Sequence, residues 1–88
     1  MKLPENPVSK FSFKSRWKEE LVCSCPDGSF ILELTMGVPT VYLPSEEVWP
    51  TIAPAWAKDE WQTLHKDLKL WCAQNSTPLE ISSDAHVF

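Results

Sequence analysis

The feature that most constrains the fold is a change in hydrophobic period after Leu43. Between Phe11 and Leu43, separate segments of the chain alternate apolar residues with polar ones, as in strands that bury one face. From residue 57 to residue 71 apolar residues recur at intervals of three or four, as in a helix with one apolar stripe. The sequence therefore predicts an α+β fold, in which one long C-terminal helix packs on one face of a small antiparallel β-meander of three or four strands.

The first alternating segment separates apolar from basic residues. Lys14 and Arg16 fall on one face of this strand, and the other face carries Phe11, Phe13, Ser15 and Trp17. The alternation continues to Cys25, so we expect either one long bent strand or two strands divided by a bulge near Glu19-Glu20.

A turn signal follows directly. Pro26-Asp27-Gly28 predicts a type I turn with a glycine bulge, which closes a hairpin. Residues 29–36 supply the next strand, with Phe30, Leu32, Leu34 and Met36 on one face, and residues 41–43 supply a further strand.

Helical signals replace the alternation after Pro44. Ser45 is a candidate N-cap, with Glu46 and Glu47 in the first turn of a short helix that Pro50 limits.

A longer helix is expected from Pro54 to about Gln74, with Asn75 as a left-handed stop and residues 79–81 as a short final strand. The core stripe of the long helix is predicted to consist of Ala57, Trp61, Leu64, Leu68, Trp71 and Cys72, with His65 at its border.

Length and composition predict one folded unit. We interpret residues 1–9, which contain two prolines and no periodicity, as an extended leader, and residues 10–88 as a single α+β domain. No apolar stretch approaches the ~20 residues that a membrane span needs, and the N-terminal segment does not resemble a signal peptide. Three cysteines are an odd and sparse set for a disulfide-stapled secreted domain, so we expect a cytoplasmic protein.

Charge is distributed unevenly along the chain. Residues 1–18 hold five basic residues and one acidic residue, whereas residues 19–88 hold three basic and eleven acidic residues. An acidic body repels phosphate backbones and attracts basic partners. Trp56 and Leu70 miss the stripe of the long helix, and Trp49 lies in a corner before that helix. Tryptophan and tyrosine are common at binding hot spots. We therefore expect a small acidic protein-interaction module, such as an inhibitor, an immunity-type protein or an adaptor, with Trp49, Trp56 or Tyr42 as its anchor.

Cysteine chemistry is the first alternative. Cys23, Cys25, Cys72 and His65 are zinc-ligand types, and a metal- or redox-sensing domain built on them is a second hypothesis. The spacing argues against it, because Cys-Ser-Cys on a strand and two residues about 10 Å apart along a helix do not close a tetrahedron readily. Buried cysteine otherwise behaves as a small hydrophobic residue. We therefore assign no metal site and no cofactor.

Catalysis and nucleic-acid binding have weaker signals. Cys72 and His65 cannot form a nucleophile–base pair from one straight helix, and His86 lies with Ser82, Ser83 and Asp84 near the terminus, so we expect no enzymatic activity. Single-strand binders need aromatic and basic side chains on one surface, whereas the first strand separates them.

An amphipathic strand near each end of the chain leaves monomer and homodimer equally open.

Overall fold

The computed structural model describes residues 10–16, 19–35 and 37–88, so the leader 1–9 predicted from the sequence lies outside the described residues. Within these ranges the chain forms five strands, two α-helices and one 3₁₀ turn. In chain order they are β1 (Ser12–Arg16), β2 (Glu20–Cys25), β3 (Gly28–Leu34), β4 (Val41–Pro44), α1 (Trp49–Ile52), the 3₁₀ turn Ala55–Ala57, α2 (Trp61–Gln74) and β5 (Leu79–Ser82).

The strands form one sheet in the order β1-β2-β3-β4-β5. The first four strands pair antiparallel in sequence order, which confirms the predicted meander. The predicted terminal strand is also present, and β5 pairs with β4 in parallel. Parallel neighbours require a crossover, and the helical segment between β4 and β5 supplies it. The fold is therefore α+β, with a mixed sheet and one long helix.

The region between β1 and β2 differs from both alternatives expected from the sequence. Arg16 pairs with Glu20 in an antiparallel register, so the chain reverses here and forms neither a long bent strand nor a bulge. Glu19 has a left-handed backbone with φ of 66°, which serves this reversal. Trp17 and Met36, both assigned to apolar strand faces from the sequence, lie outside the described residues.

The second hairpin lies where the sequence places it. Pro26 and Asp27 form the turn, and Cys25 pairs with Gly28 across it. Gly28 has φ of +152°, and a Cβ atom at this position would lie 2.9 Å from two ring carbons of Trp56. Glycine is therefore required here both by the backbone conformation and by the close approach of an indole ring.

The C-terminal residues complete the sheet next to β3. Val87 bridges Leu32 in antiparallel orientation. Ile31 and Phe88 exchange two backbone hydrogen bonds, of 3.2 Å from the Ile31 N–H and 2.9 Å from the Phe88 N–H. The tail thereby pairs with the part of β3 that lies beyond its pairing with β4, which ends at Glu33 opposite Tyr42.

The core lies between the sheet and the helical segment. Its members are buried side chains of both layers: Phe11, Leu21, Cys23, Phe30, Leu32, Leu34, Val41, Leu43, Trp49, Ala57, Leu64, Leu68 and Cys72. Trp61 and Trp71 are half-buried against this core, so the predicted helical stripe faces the sheet.

The long helix begins later than the sequence suggests. It starts at Trp61 rather than near Pro54, because residues 55–57 form a separate 3₁₀ turn. The Ala57 carbonyl accepts a hydrogen bond from the indole N–H of Trp49 at 2.8 Å and another from the Glu60 backbone N–H. These two donors take the carbonyl that a continuous helix would use for Trp61.

The predicted helix ends also shift. The short helix begins at Trp49 with Val48 as its N-cap and no acidic residue in its first turn, so Ser45 does not cap it. The main-chain carbonyl of Ser45 instead accepts the N–H groups of Val48 and Trp49. Ser76, with φ of 52°, is the left-handed residue after α2 in place of Asn75. No helix in the described ranges has the length and apolarity to span a membrane.

Candidate protein-interaction surface

The two faces of the sheet have different surroundings. One face carries the core, where Phe30 contacts the rings of Trp49 and Trp56 at centroid distances of 5.5 and 6.0 Å. No described helix packs on the opposite face, which we call the uncovered face. By strand register its members are Ser12, Lys14, Arg16, Glu20, Val22, Ser24, Ser29, Ile31, Glu33, Tyr42, Glu80, Ser82 and Phe88.

Tyr42 lies on β4 and is an aromatic residue of the uncovered face. Its register partners are Glu33 on β3 and Glu80 on β5, so a carboxylate flanks the phenol ring on each side. Side chains that are directly opposite on neighbouring strands have Cβ atoms about 5 Å apart, which is within contact distance for these residues. Tyr42 and Glu33 line a shallow cavity of about 260 Å³, together with Thr35, Ser82, Asp84 and Ala85.

The charge around Tyr42 is uncompensated within the described residues. Glu33, Glu80 and Asp84 form no ion pair there. Glu20, the next carboxylate along the same row, is neutralised by Arg16, whose Nε donates to it at 2.8 Å. The cavity beside Tyr42 thus combines a half-buried aromatic ring with carboxylates that are free to attract a cation.

Trp49 lies in the core. Its side chain is fully buried, with a relative exposure of 0%, and its indole N–H donates to the Ala57 carbonyl. A partner cannot contact a side chain in this position without unfolding the helical segment. Trp49 therefore stabilises the fold and offers no surface for a partner.

Trp56 also contacts the interior of the molecule. Its ring packs on Phe30 and closely against Gly28, and the residue is half-buried. These contacts hold the 3₁₀ turn on the hairpin between β2 and β3. Of the three anchors predicted from the sequence, only Tyr42 lies on the uncovered face.

The thiols and His65 occupy separate environments. Cys23 and Cys72 are buried, and Cys25 is half-buried. Burial raises the pKa of the Cys23 thiol and raises that of Cys72 to about 11, so both are protonated at neutral pH. His65 packs against Trp61, with a centroid distance of 4.7 Å and an angle of 38° between the ring planes. In the part of the chain that the structure describes, no group of three or more His, Cys, Asp and Glu side chains converges on a possible metal position.

Sequence reasoning missed Asp67. This carboxylate is 4% exposed and accepts hydrogen bonds from the backbone N–H groups of Lys10 at 2.9 Å and Phe11 at 3.0 Å. It therefore holds the start of β1 against α2. The available signal was its position on the apolar stripe, three residues after Leu64 and four before Trp71, where a solvated charge is not expected.

A second contact holds the same corner. The Lys10 ammonium donates to Glu60 at 2.8 Å and lies 3.3 Å from Asp27. The hydrogen bonds that the ammonium donates to the Glu60 and Asp27 carboxylates raise the pKa of Lys10. One lysine thus links the start of β1, the β2–β3 hairpin and the residue that precedes α2.

Basic and aromatic side chains of β1 point to opposite faces. Lys14 and Arg16 are exposed on the uncovered face, whereas Phe11 is buried and Phe13 packs on Trp71 at a centroid distance of 6.1 Å. The described part of β1 therefore lacks the arrangement in which bases stack beside the charges that follow a nucleic-acid backbone.

Comparisons with protein-family models, with curated protein sequences and with solved structures gave no match.

Proposed function

We propose that this chain is a small non-catalytic protein-interaction module that binds a basic segment of another protein at Tyr42 on the uncovered face. The observation that carries the proposal is the position of Tyr42 between Glu33 and Glu80, with Asp84 beside the same cavity. An aromatic face flanked by carboxylates is a good receptor for an arginine or lysine side chain.

The energetic argument depends on several weak contacts acting together. A cation over an aromatic ring contributes about 0.5–1 kcal/mol at an exposed site. Each exposed ion pair adds roughly 0–1 kcal/mol. One lysine would therefore bind weakly, whereas a segment with several basic residues contacts Tyr42, Glu33 and Glu80 simultaneously. The formal net charge of −4 favours encounter with such a segment over long distances.

We also propose a cytoplasmic location. The three cysteines are free, and two of them are buried as unpaired thiols. Free thiols persist in a reducing compartment, where disulfides are rare.

The test is affinity capture from a lysate with the full chain as bait, followed by mass spectrometry and by direct binding measurements on any captured protein. Tyr42→Ala and the double substitution Glu33→Gln/Glu80→Gln should each weaken binding of a genuine partner by about tenfold or more. The direct measurement should show a steep loss of affinity with salt, because charge attraction on an exposed face is screened.

The matched control is Asp59→Asn, which removes one carboxylate from an exposed turn in the helical segment, away from the uncovered face. This variant should bind as the unmodified chain does. Equal binding by the unmodified chain, the Tyr42 variant and the double glutamine variant, with the fold intact in all three, would exclude the proposed surface. Binding that is insensitive to salt would equally contradict it.

A further inference from the structure

The outer edge of β1 has backbone N–H and C=O groups that form no hydrogen bond with a described residue. Their direction follows from the register of the sheet, because neighbouring residues of a strand point their N–H and C=O groups to opposite sides. Ile31 directs both groups to Phe88, and therefore away from β2. Val22, its partner on β2, must then direct its groups toward Lys14 on β1.

The alternate residues of β1 consequently face outward. Lys14 points its backbone groups into the sheet, so Phe13 and Ser15 point theirs away from it. Phe11 has the same parity, and its N–H does point outward, since it binds Asp67 on α2. Asp67 thus binds the first outward N–H group, that of Phe11. The outward groups of Phe13 and Ser15 have no hydrogen-bond partner among the described residues.

A groove continues this edge on the core side. A cavity of about 260 Å³ lies between β1 and α2, with Phe13, Leu70 and Trp71 among its lining residues. Leu70 is 45% exposed although it is large and apolar. An apolar side chain placed opposite Phe13 would enter this cavity and cover Leu70.

The other side of the same edge is basic. Lys14 and Arg16 are exposed on the uncovered face. Arg16 is paired with Glu20, and Lys14 forms no ion pair with a described residue. Side chains that extend the uncovered face beyond Lys14 therefore meet positive charge.

We propose that the outer edge of β1 binds an extended segment of another protein whose residues alternate between apolar and acidic. The segment adds a sixth strand: its main chain bonds the outward groups of Phe13 and Ser15, its apolar residues enter the groove beside Leu70, and its acidic residues meet Lys14. Strand addition of this kind takes affinity from main-chain hydrogen bonds and specificity from alternate side chains. This site is at the opposite edge from Tyr42 and selects the opposite charge.

The experiment uses the full ¹⁵N-labelled chain and a synthetic peptide, acetyl-Val-Glu-Val-Glu-Val-amide. In the free protein, the amide hydrogens of Phe13 and Ser15 should exchange much faster than those of Lys14 and Arg16, which point into the sheet. Peptide binding should slow exchange at Phe13 and Ser15 by about tenfold or more and leave Lys14 unchanged. The analogue with lysine in place of glutamate should need about tenfold higher concentration to protect Phe13 and Ser15 to the same extent.

Two substitutions test the edge and its charge separately. Ser15→Pro removes one outward N–H from an edge strand without removing a bond to β2, and it should abolish measurable binding. Lys14→Glu should weaken binding of the acidic peptide and strengthen binding of the lysine analogue. Lys58→Glu, a charge reversal in the exposed turn before α2, is the matched control and should bind as the unmodified chain does. If Ser15→Pro disturbs the fold, the charge reversal at Lys14 still tests whether the β1 edge binds the peptide.

Three results would overturn the proposal. The first is equal protection of Phe13 and Ser15 by the acidic and basic peptides, and the second is protection by the acidic peptide that maps to Tyr42 and β5 instead of β1. The third is slow exchange at Phe13 and Ser15 without peptide, together with sedimentation as an oligomer, since a second copy would then occupy the edge. The first and third outcomes leave the salt-dependent binding at Tyr42 unaffected.

Discussion

The two faces of the sheet divide the molecule into a region that stabilises the fold and a region that is available for contact. On the core face, the strand residues Leu21 and Leu32 are fully buried and cluster with Trp49 and Leu64 of the helical segment. On the uncovered face, Val22, Ile31 and Tyr42 are half-buried, and charged residues surround them. The same alternation of residues produces both faces. A strand residue therefore acquires its role from the layer that packs on its side of the sheet, and substitutions on the two faces should separate into effects on stability and effects on binding.

The largest expected effect is on the core face. Trp49→Ala should lower the free energy of unfolding by about 4 kcal/mol, because it leaves a large cavity and removes the indole hydrogen bond to the Ala57 carbonyl. Tyr42→Ala should cost about 1 kcal/mol or less, since no described helix packs on it. Chemical denaturation of both variants gives the comparison. Similar losses for the two would mean that the uncovered face is packed against something in solution.

A smaller effect is expected where β1 joins the core face. Asp67→Ala should lower the free energy of unfolding by about 2 kcal/mol, because two backbone N–H groups lose their acceptor. Asp67→Asn retains a carbonyl oxygen at the same position and should cost less than half as much. Urea denaturation of the two variants measures the difference. Equal losses would indicate that the charge of Asp67, rather than its hydrogen bonds, holds β1 in place.

The alternation of apolar residues predicted which side of each strand is buried, but it could not reveal the first hairpin. Phe13 pairs with Cys23, and Ser15 pairs with Leu21, so residues of the same parity meet across the turn. The alternation, which Glu19 interrupts, therefore has the same parity before and after a complete reversal of the chain. Among the described residues, the left-handed backbone of Glu19 marks the turn, and its residue type carries little information about φ.

The site was only partly predictable for a related reason. Trp56 seemed to miss the core stripe because the long helix was assumed to include it. A break before Trp61 rotates the 3₁₀ turn and brings the Trp56 ring onto Gly28. Tyr42 was correctly placed on a strand, but its carboxylate neighbours come from β3 and β5. Such pairs depend on strand register over long sequence separations, which hydrophobic periodicity does not encode.

The smallest expected effect concerns the border of the core face, at His65. Burial against Trp61 lowers the pKa of His65, nearby Lys69 lowers it further, and Glu46 opposes them. The folded chain therefore binds a proton at His65 less readily than the unfolded chain does. The resulting stability is complete above the ordinary histidine pKa of 6.5 and is lost as the pH falls through the folded value. An NMR titration of the imidazole should give a pKa below 6.5, which Lys69→Gln raises and Glu46→Gln lowers. A pKa at or above 6.5 would mean that water reaches the ring freely and that the core face ends before His65.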